Sequence, residues 1–257
     1  MIHSSAIVDQ KSDLGDNVTI GPYSVIGPGV SVAENTWIGS HVVIQGPAKI
    51  GSDNRIFHFC SIGEIPQDKK FNRDEVTSLE IGDRNVIREY CSVNRGTLAG
   101  GGKTVIGHDN WIMAYVHIAH DCRVGNQTVF ANNATLAGHV YIDDHVILGG
   151  FTGVHQFCQV GCFAFSAISS VITKDVPPYL MVSGNTARPG GLNREGLKRH
   201  GYSHEQIDEL KKAYKIIYRQ GLTIQQALEE LQPMASTNPD IRKFAEFIAG
   251  SSRGIVR

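Results

Sequence analysis

The chain has 257 residues, enough for one or two domains with a sizeable core. With 41% hydrophobic and 19% charged residues and a formal net charge of −1, it lacks the basic excess of a generic nucleic-acid binder. No apolar run reaches the about 18 residues of a membrane span, and the opening MIHSSAIVDQKSD has no signal-peptide core, so a cytoplasmic protein without an integral membrane segment is expected.

The first sixty residues set the architecture. From Ile2 to Ile62 every sixth residue is Ile, Leu or Val, eleven in succession. If a quarter of positions were aliphatic, chance would give that run with a probability on the order of 10⁻⁷. Six matches neither the helical period nor strand alternation. It fits a hexapeptide solenoid, in which short strands each send one aliphatic side chain inward and three hexads complete an 18-residue triangular coil. Glycine often follows the aliphatic residue (Gly21, Gly39, Gly51), with Asn and Asp nearby to take unusual backbone angles at corners.

The rhythm then slips twice. Ile62 to Ile81 spans three hexads plus one residue, and Val93 to Ile106 two hexads plus one. Residues 64–79 and 95–105 are therefore expected as loops leaving the prism, positions where a rigid scaffold often carries function. Gly102, Lys103 and Thr104 resemble the end of a phosphate-binding loop, but Thr97 stands where that motif needs glycine and no helical pattern follows. From Ile106 the period runs on to Val160, slips at Ser166 and returns at Ile172. Cys60, Cys91, Cys122, Cys158 and Cys162 form no CxxC pair and read as reduced packing residues.

Beyond about residue 190 the pattern turns helical. Ser203 with Gln206 and Thr223 with Gln226 form capping boxes, Asn238–Pro239 opens a third helix, and Gly221 can close the first. Two units follow: a parallel β-helix over 1–188 and a small α-helical domain over 189–257. Residues 1–184 carry 12 Lys/Arg and 17 Asp/Glu (−5), and residues 185–257 carry 12 and 8 (+4). The basic tail fits either an acidic partner or a solvated helical surface.

Histidines gather in the central coils. His120, Gly138 and Gln156 each lie two residues after an inward aliphatic and 18 residues apart, so they should stack along one corner about 4.8 Å apart. An imidazole beneath a glycine pairs a general base with a bare N–H that can receive an oxyanion. Asp121 can fix the His120 tautomer. His117, His139 and His155 lie close by in sequence, while His145 reads as a surface histidine.

HIAHDC (117–122), ANNATLAGH (131–139), VHQF (154–157), DVPPY (175–179) and NREGLKRHG (193–201) together closely resemble the UDP-N-acetylglucosamine O-acyltransferases of lipid A biosynthesis, over essentially the whole chain. The resemblance implies a left-handed coil, a homotrimer with sites between prisms, no cofactor, and two substrates: the thioester of acyl carrier protein and UDP-N-acetylglucosamine. It implies His120 as general base on the sugar 3-hydroxyl, Asp121 as its support and the Gly138 N–H as oxyanion donor. It further implies His117, His139, His155 and Gln156 around sugar and pantetheine, Asp68 and Lys70 on the sugar, and Asn193, Glu195 and Arg199 on the nucleotide. Ile168 falls at the acyl-chain ruler, where glycine permits a long chain. Asn94 replaces a common histidine and His200 a common arginine. The alternative is a zinc lyase of the hexapeptide carbonic anhydrase type, for which His117 and His120 are three residues apart.

Overall fold

A computed structural model describes residues 1–257 throughout. The chain winds as a left-handed parallel β-helix of triangular section, followed by four helices. Its first face holds nine strands, from Ile7–Val8 to Val171–Ile172; its second holds eight, from Asp13–Leu14 to Gln159–Val160; its third holds ten, from Thr19–Ile20 to Arg188–Leu192. All pair in parallel except the last two of the third face, Leu180–Ser183 and Arg188–Leu192, which fold back as an antiparallel pair.

Most strands are two residues long, because each hexad spends the rest of its length turning a corner. The second residue of the strand is the periodic aliphatic, and Ile38, Ile44, Ile56, Ile62, Ile112 and Ile118 are all fully buried. Each such side chain contributes about 1.5–3 kcal/mol. At the open N-terminal end the same position is half exposed at Ile2. The slip at Ser166 keeps its inward place because the hydroxyl is satisfied there, bonding Thr152 Oγ1 (2.9 Å) and accepting the Gly149 N–H (3.2 Å).

Corners follow a second rule. From Asp109 to Ser169 every sixth residue is left-handed, with φ between 54° and 64°, and none of them is glycine. Asp and Asn take some of these positions, as their tolerance of the region predicts, but Tyr, Phe and His take others. The aromatic rings gain stacking: Tyr23, His41, Phe59, Tyr90 and Tyr115 pile along one edge at 4.9–5.1 Å between centroids. The glycines after the inward aliphatics have another cause. A Cβ at Gly21 would lie 2.7 Å from the Gly39 carbonyl carbon, so close approach of the next coil requires glycine there.

Both insertions leave at the edge between first and second faces, in consecutive coils. They are shorter than the phase slips suggest, running 65–77 and 95–102. Residues 78–79 and 103–105 are strand, since Ser78–Ile81 pairs with Lys103–Ile106 over its full length.

Helices α1 (Arg194–Arg199), α2 (His204–Arg219), α3 (Ile224–Thr237) and α4 (Pro239–Gly250) cap the C-terminal end. Both capping boxes form, Asn238 caps α4 ahead of Pro239, and Gly221, at φ 72°, follows α2. The cap is fastened by polar contacts: Tyr179 and Tyr202 both donate to Asp240 of α4, and Ser251 Oγ donates to the buried Asp175 (2.6 Å). His145 is not an isolated surface group. Its ring stacks on Phe163 at 4.5 Å and meets His200 of the cap at 4.6 Å.

Replacing one inward side chain should cost far more than replacing an outward one. Ile118→Ala is expected to lower stability by about 2–5 kcal/mol, and Lys49→Ala, exposed on the second face, by no more than about 0.5 kcal/mol. Denaturant unfolding followed by circular dichroism measures both.

Candidate active site

The first–second edge collects the predicted chemistry. The register stacks His120 beneath Gly138 and Gln156. Crowding explains the glycine: a Cβ at Gly138 would lie 2.6 Å from His120 Cε1 and 2.7 Å from Nε2. The Gly138 N–H has no hydrogen-bond partner. At several other corners the equivalent N–H is capped by a side chain of the next coil, as Asn126 N–H is by Asp144 Oδ1 (2.7 Å). At residue 138 that donor stays free.

Asp121 organises the imidazole. Its carboxylate accepts from His120 Nδ1 (2.7 Å), and its side chain is fully buried. The acceptor on Nδ1 assigns the proton to that nitrogen and leaves the Nε2 lone pair beside Gly138. Burial pushes the Asp121 carboxyl up, but hydrogen bonds from His120 and Thr97 outweigh it and hold it below the usual range.

Two histidines flank the pair. His139 sits one coil above Asp121, its Nε2 3.7 Å from the carboxylate, and its ring lies perpendicular to His120 at 5.2 Å and stacks on Phe157 at 4.4 Å. Burial lowers its pKa, with Asp121 and Asp68 pulling the other way. His117 projects from the first face and shares a hydrogen bond with Ser92 Oγ (2.7 Å); burial, then His120, lowers its pKa. Both are thus biased toward the neutral form.

The remaining predicted residues divide by location. Asp68, on the first loop, lies close enough to His139 to act on its titration. Lys70 gives its backbone N–H to Asp68 Oδ1 (2.9 Å), and its side chain is exposed. Gln156 and His155 are exposed on the same edge, with His155 Nδ1 3.3 Å from Arg253 of the tail. Asn193, Glu195 and Arg199 stand instead at the second–third edge. Asn193 caps α1 through Oδ1 and donates to Phe163 O (2.9 Å), and Glu195 pairs with Lys198, leaving Arg199 without an ion pair. Ile168 is exposed on the third–first edge. Six residues per face put adjacent edges roughly 15–20 Å apart, so within one chain these residues do not converge on His120.

The two departures have structural uses. Asn94 is buried and donates to Ile65 O (2.9 Å), pinning the start of the first loop. His200 packs edge-on against Phe163 at 5.1 Å.

Sequence reasoning missed the second loop's part. Thr97 donates both its N–H (2.8 Å) and its hydroxyl (2.7 Å) to the Asp121 carboxylate, Thr104 Oγ1 accepts the Asp121 N–H (2.8 Å), and a Cβ at Gly100 would strike that carboxylate at 2.0 Å. The hexad period cannot find Thr97, which lies outside it. The clue was the phase, which puts this loop one coil below His120.

Comparison with known proteins gives one consistent result. Residues 175–256 match the model for domain 2 of UDP N-acetylglucosamine O-acyltransferase, and 11–46 and 103–138 match the bacterial transferase hexapeptide model. An acyl-[acyl-carrier-protein]–UDP-N-acetylglucosamine O-acyltransferase of Thiobacillus denitrificans is 55% identical over 256 residues, covering 100% of this chain and 99% of its own. The solved UDP-N-acetylglucosamine acyltransferase of Francisella novicida superposes with a TM-score of 0.98 at 44% identity, covering 100% and 94%. The Moraxella catarrhalis structure gives 0.97 at 45%, covering 100% and 99%. A dyad built on a hexapeptide prism, a helical cap and full-length likeness of this degree place the chain in the UDP-N-acetylglucosamine O-acyltransferase family.

Proposed function

We propose that this protein transfers a 3-hydroxyacyl chain from acyl carrier protein to the 3-hydroxyl of UDP-N-acetylglucosamine, the entry reaction of lipid A biosynthesis, with His120 as general base. The observation that carries the reading is the His120–Asp121 hydrogen bond of 2.7 Å, with Nε2 packed beside Gly138, whose N–H has no partner. As the sugar oxygen attacks the thioester carbonyl, Nε2 takes the hydroxyl proton and the Gly138 N–H receives the oxyanion. Collapse breaks the carbon–sulfur bond, and the departing thiolate takes the proton back from the imidazolium. Asp121 holds the ring and offsets the transient positive charge. No acyl-enzyme is needed, and Cys122, the cysteine next to Asp121, supports none: burial raises it to about 12. The thioester is itself a substrate, so the reaction calls for no cofactor. The full-length relatives favour this transfer over the zinc lyase alternative.

The site needs more than one copy of the chain. The outer face of the third sheet is apolar over its C-terminal coils (Trp111, Val129, Ile147, Phe165, Met181), whereas that of the second is mostly polar (Lys49, Glu80, Arg123 and Gln159, with Val105 and Tyr141 among them). Packing the third face of one copy on the first face of the next makes a closed ring of three. That arrangement brings the second–third edge, with Asn193, Glu195 and Arg199, to the neighbour's first–second edge, with His120. It also makes the Ile168 edge line the central contact, within reach of an acyl chain running between copies. Asp68, Lys70, His117 and His139 then hold the sugar, and His155 and Gln156 the pantetheine arm. The prism over 1–188 acts as scaffold and the unit over 189–257 as the nucleotide-side wall, in a cytoplasmic trimer.

Mass spectrometry of products from UDP-N-acetylglucosamine and a panel of acyl carrier protein thioesters tests the activity; absence of an O-acylated sugar nucleotide overturns it. His120→Ala is expected to lower kcat by about 10²–10⁴-fold while the protein stays folded, and parent activity should rise with pH as the imidazole loses its proton. Sharing of the site is tested by co-expressing His120→Ala with Arg199→Ala chains. Each is expected to be impaired alone, and the randomly assembled mixture should regain up to about a quarter of parent activity, the fraction of all sites receiving both intact residues. Ile168→Gly is expected to move the kcat/KM optimum toward longer acyl chains, because overfilling a packed wall costs about 1–3 kcal/mol and glycine removes that stop.

A further inference from the structure

The carboxylate of Asp121 has two histidines within reach and serves one. Oδ2 is 2.7 Å from His120 Nδ1 and 3.7 Å from His139 Nε2. The loop over 95–102 holds the carboxyl group in that orientation. Thr97 N–H donates to Oδ1 and Thr97 Oγ1 to Oδ2, so both oxygens are held from one side, and Gly100 lies directly against the group. The loop is anchored in turn, because Leu98 N–H donates to Glu75 Oε2 (2.9 Å) of the first loop.

We propose that Thr97 is a positioning residue for the reaction: its two donors hold the Asp121 carboxylate on His120 and away from His139. Unlike a packing threonine, it works through hydrogen bonds to a buried anion that are strong and directional. The titratable groups facing His120 are Asp121, His117 and His139, with Asp68 beyond His139. Asp121 is the anion adjoining the ring, so moving its carboxylate changes the charge that His120 feels.

This rests on the reading of His120 as general base, and the experiment separates the two. In the full-length protein, Thr97→Val keeps the side-chain shape and removes the hydroxyl. Two shifts of opposite sign are expected in imidazole NMR titrations: His120 loses its counter-charge and moves to lower pH, and His139 gains it and moves to higher pH, each by about half a unit or more. The rising limb of the kcat–pH profile should follow His120, with kcat lower by about tenfold and KM for the sugar nucleotide within about twofold. Thr97→Ser, which restores the hydroxyl, should return both titrations to the parent values. A merely structural role for Thr97 would leave the two histidines unshifted relative to each other. Glu75→Ala loosens the loop without touching the dyad and should give the same paired shift at smaller size. If Thr97→Val does not fold, absence of that pair in Glu75→Ala overturns the proposal. If His120→Ala keeps its turnover, the general-base reading falls. If His120→Ala is inactive while both histidines titrate in Thr97→Val as in the parent, the positioning proposal alone falls.

Discussion

Between coils, backbone N–H groups find carbonyls a fixed distance along the chain: Gly21 bonds Ile38, and Gly39 bonds Ile56. An extended chain can close this spacing only if it turns three times per coil. The left-handed residues at the corners make those turns, and the inward aliphatics, with Phe130 among them, fill the shaft. Everything at the edge inherits this register. His120 and Gly138 meet because they are one coil apart; glycine at that corner leaves room for the imidazole, and no side chain caps its N–H from above.

The prism supplies precision in one direction only, along its axis. Lateral control of the carboxylate at the base of the dyad comes from outside the repeat. The second loop leaves the same edge one coil below and folds back over Asp121, so the anion is enclosed by Thr97, Thr104 and Gly100. A buried carboxylate without such donors would be driven toward its neutral form and would support an imidazolium poorly. Scaffold and loop thus divide the work: the coil sets which groups are neighbours, and the loop sets how one of them is aimed.

The period-six run from Ile2 to Ile62 was enough to read the coil, and the i, i+18 rule was enough to place His120 under Gly138. The capping boxes at Ser203 and Thr223 located two helices for local reasons that tertiary packing did not override. Thr97 escaped because loop residues have no period, and its partner lies 24 residues on, through an irregular insertion. The strand ends at 78–79 and 103–105 do not show in the phase, because two insertions in successive coils let Ser78–Ile81 and Lys103–Ile106 lengthen against each other. Asn193 and Arg199 could be linked to the site by resemblance but not by geometry, because the edge they occupy faces away from His120 within one chain.

The regular spacing of left-handed corners also governs how such a chain can change its length. A residue lost or gained inside a hexad would carry an inward aliphatic into a corner and a corner residue into the shaft, and the error would repeat in every later coil. Extra residues are harmless only where the chain is already turning outward, and there they emerge as a loop while the count resumes behind them. The segments over 65–77 and 95–102 follow that rule, both at the edge that bears His120. Mutational drift in length is thereby channelled to the prism's edges, so in this architecture the places most open to insertion include the surroundings of the reacting groups.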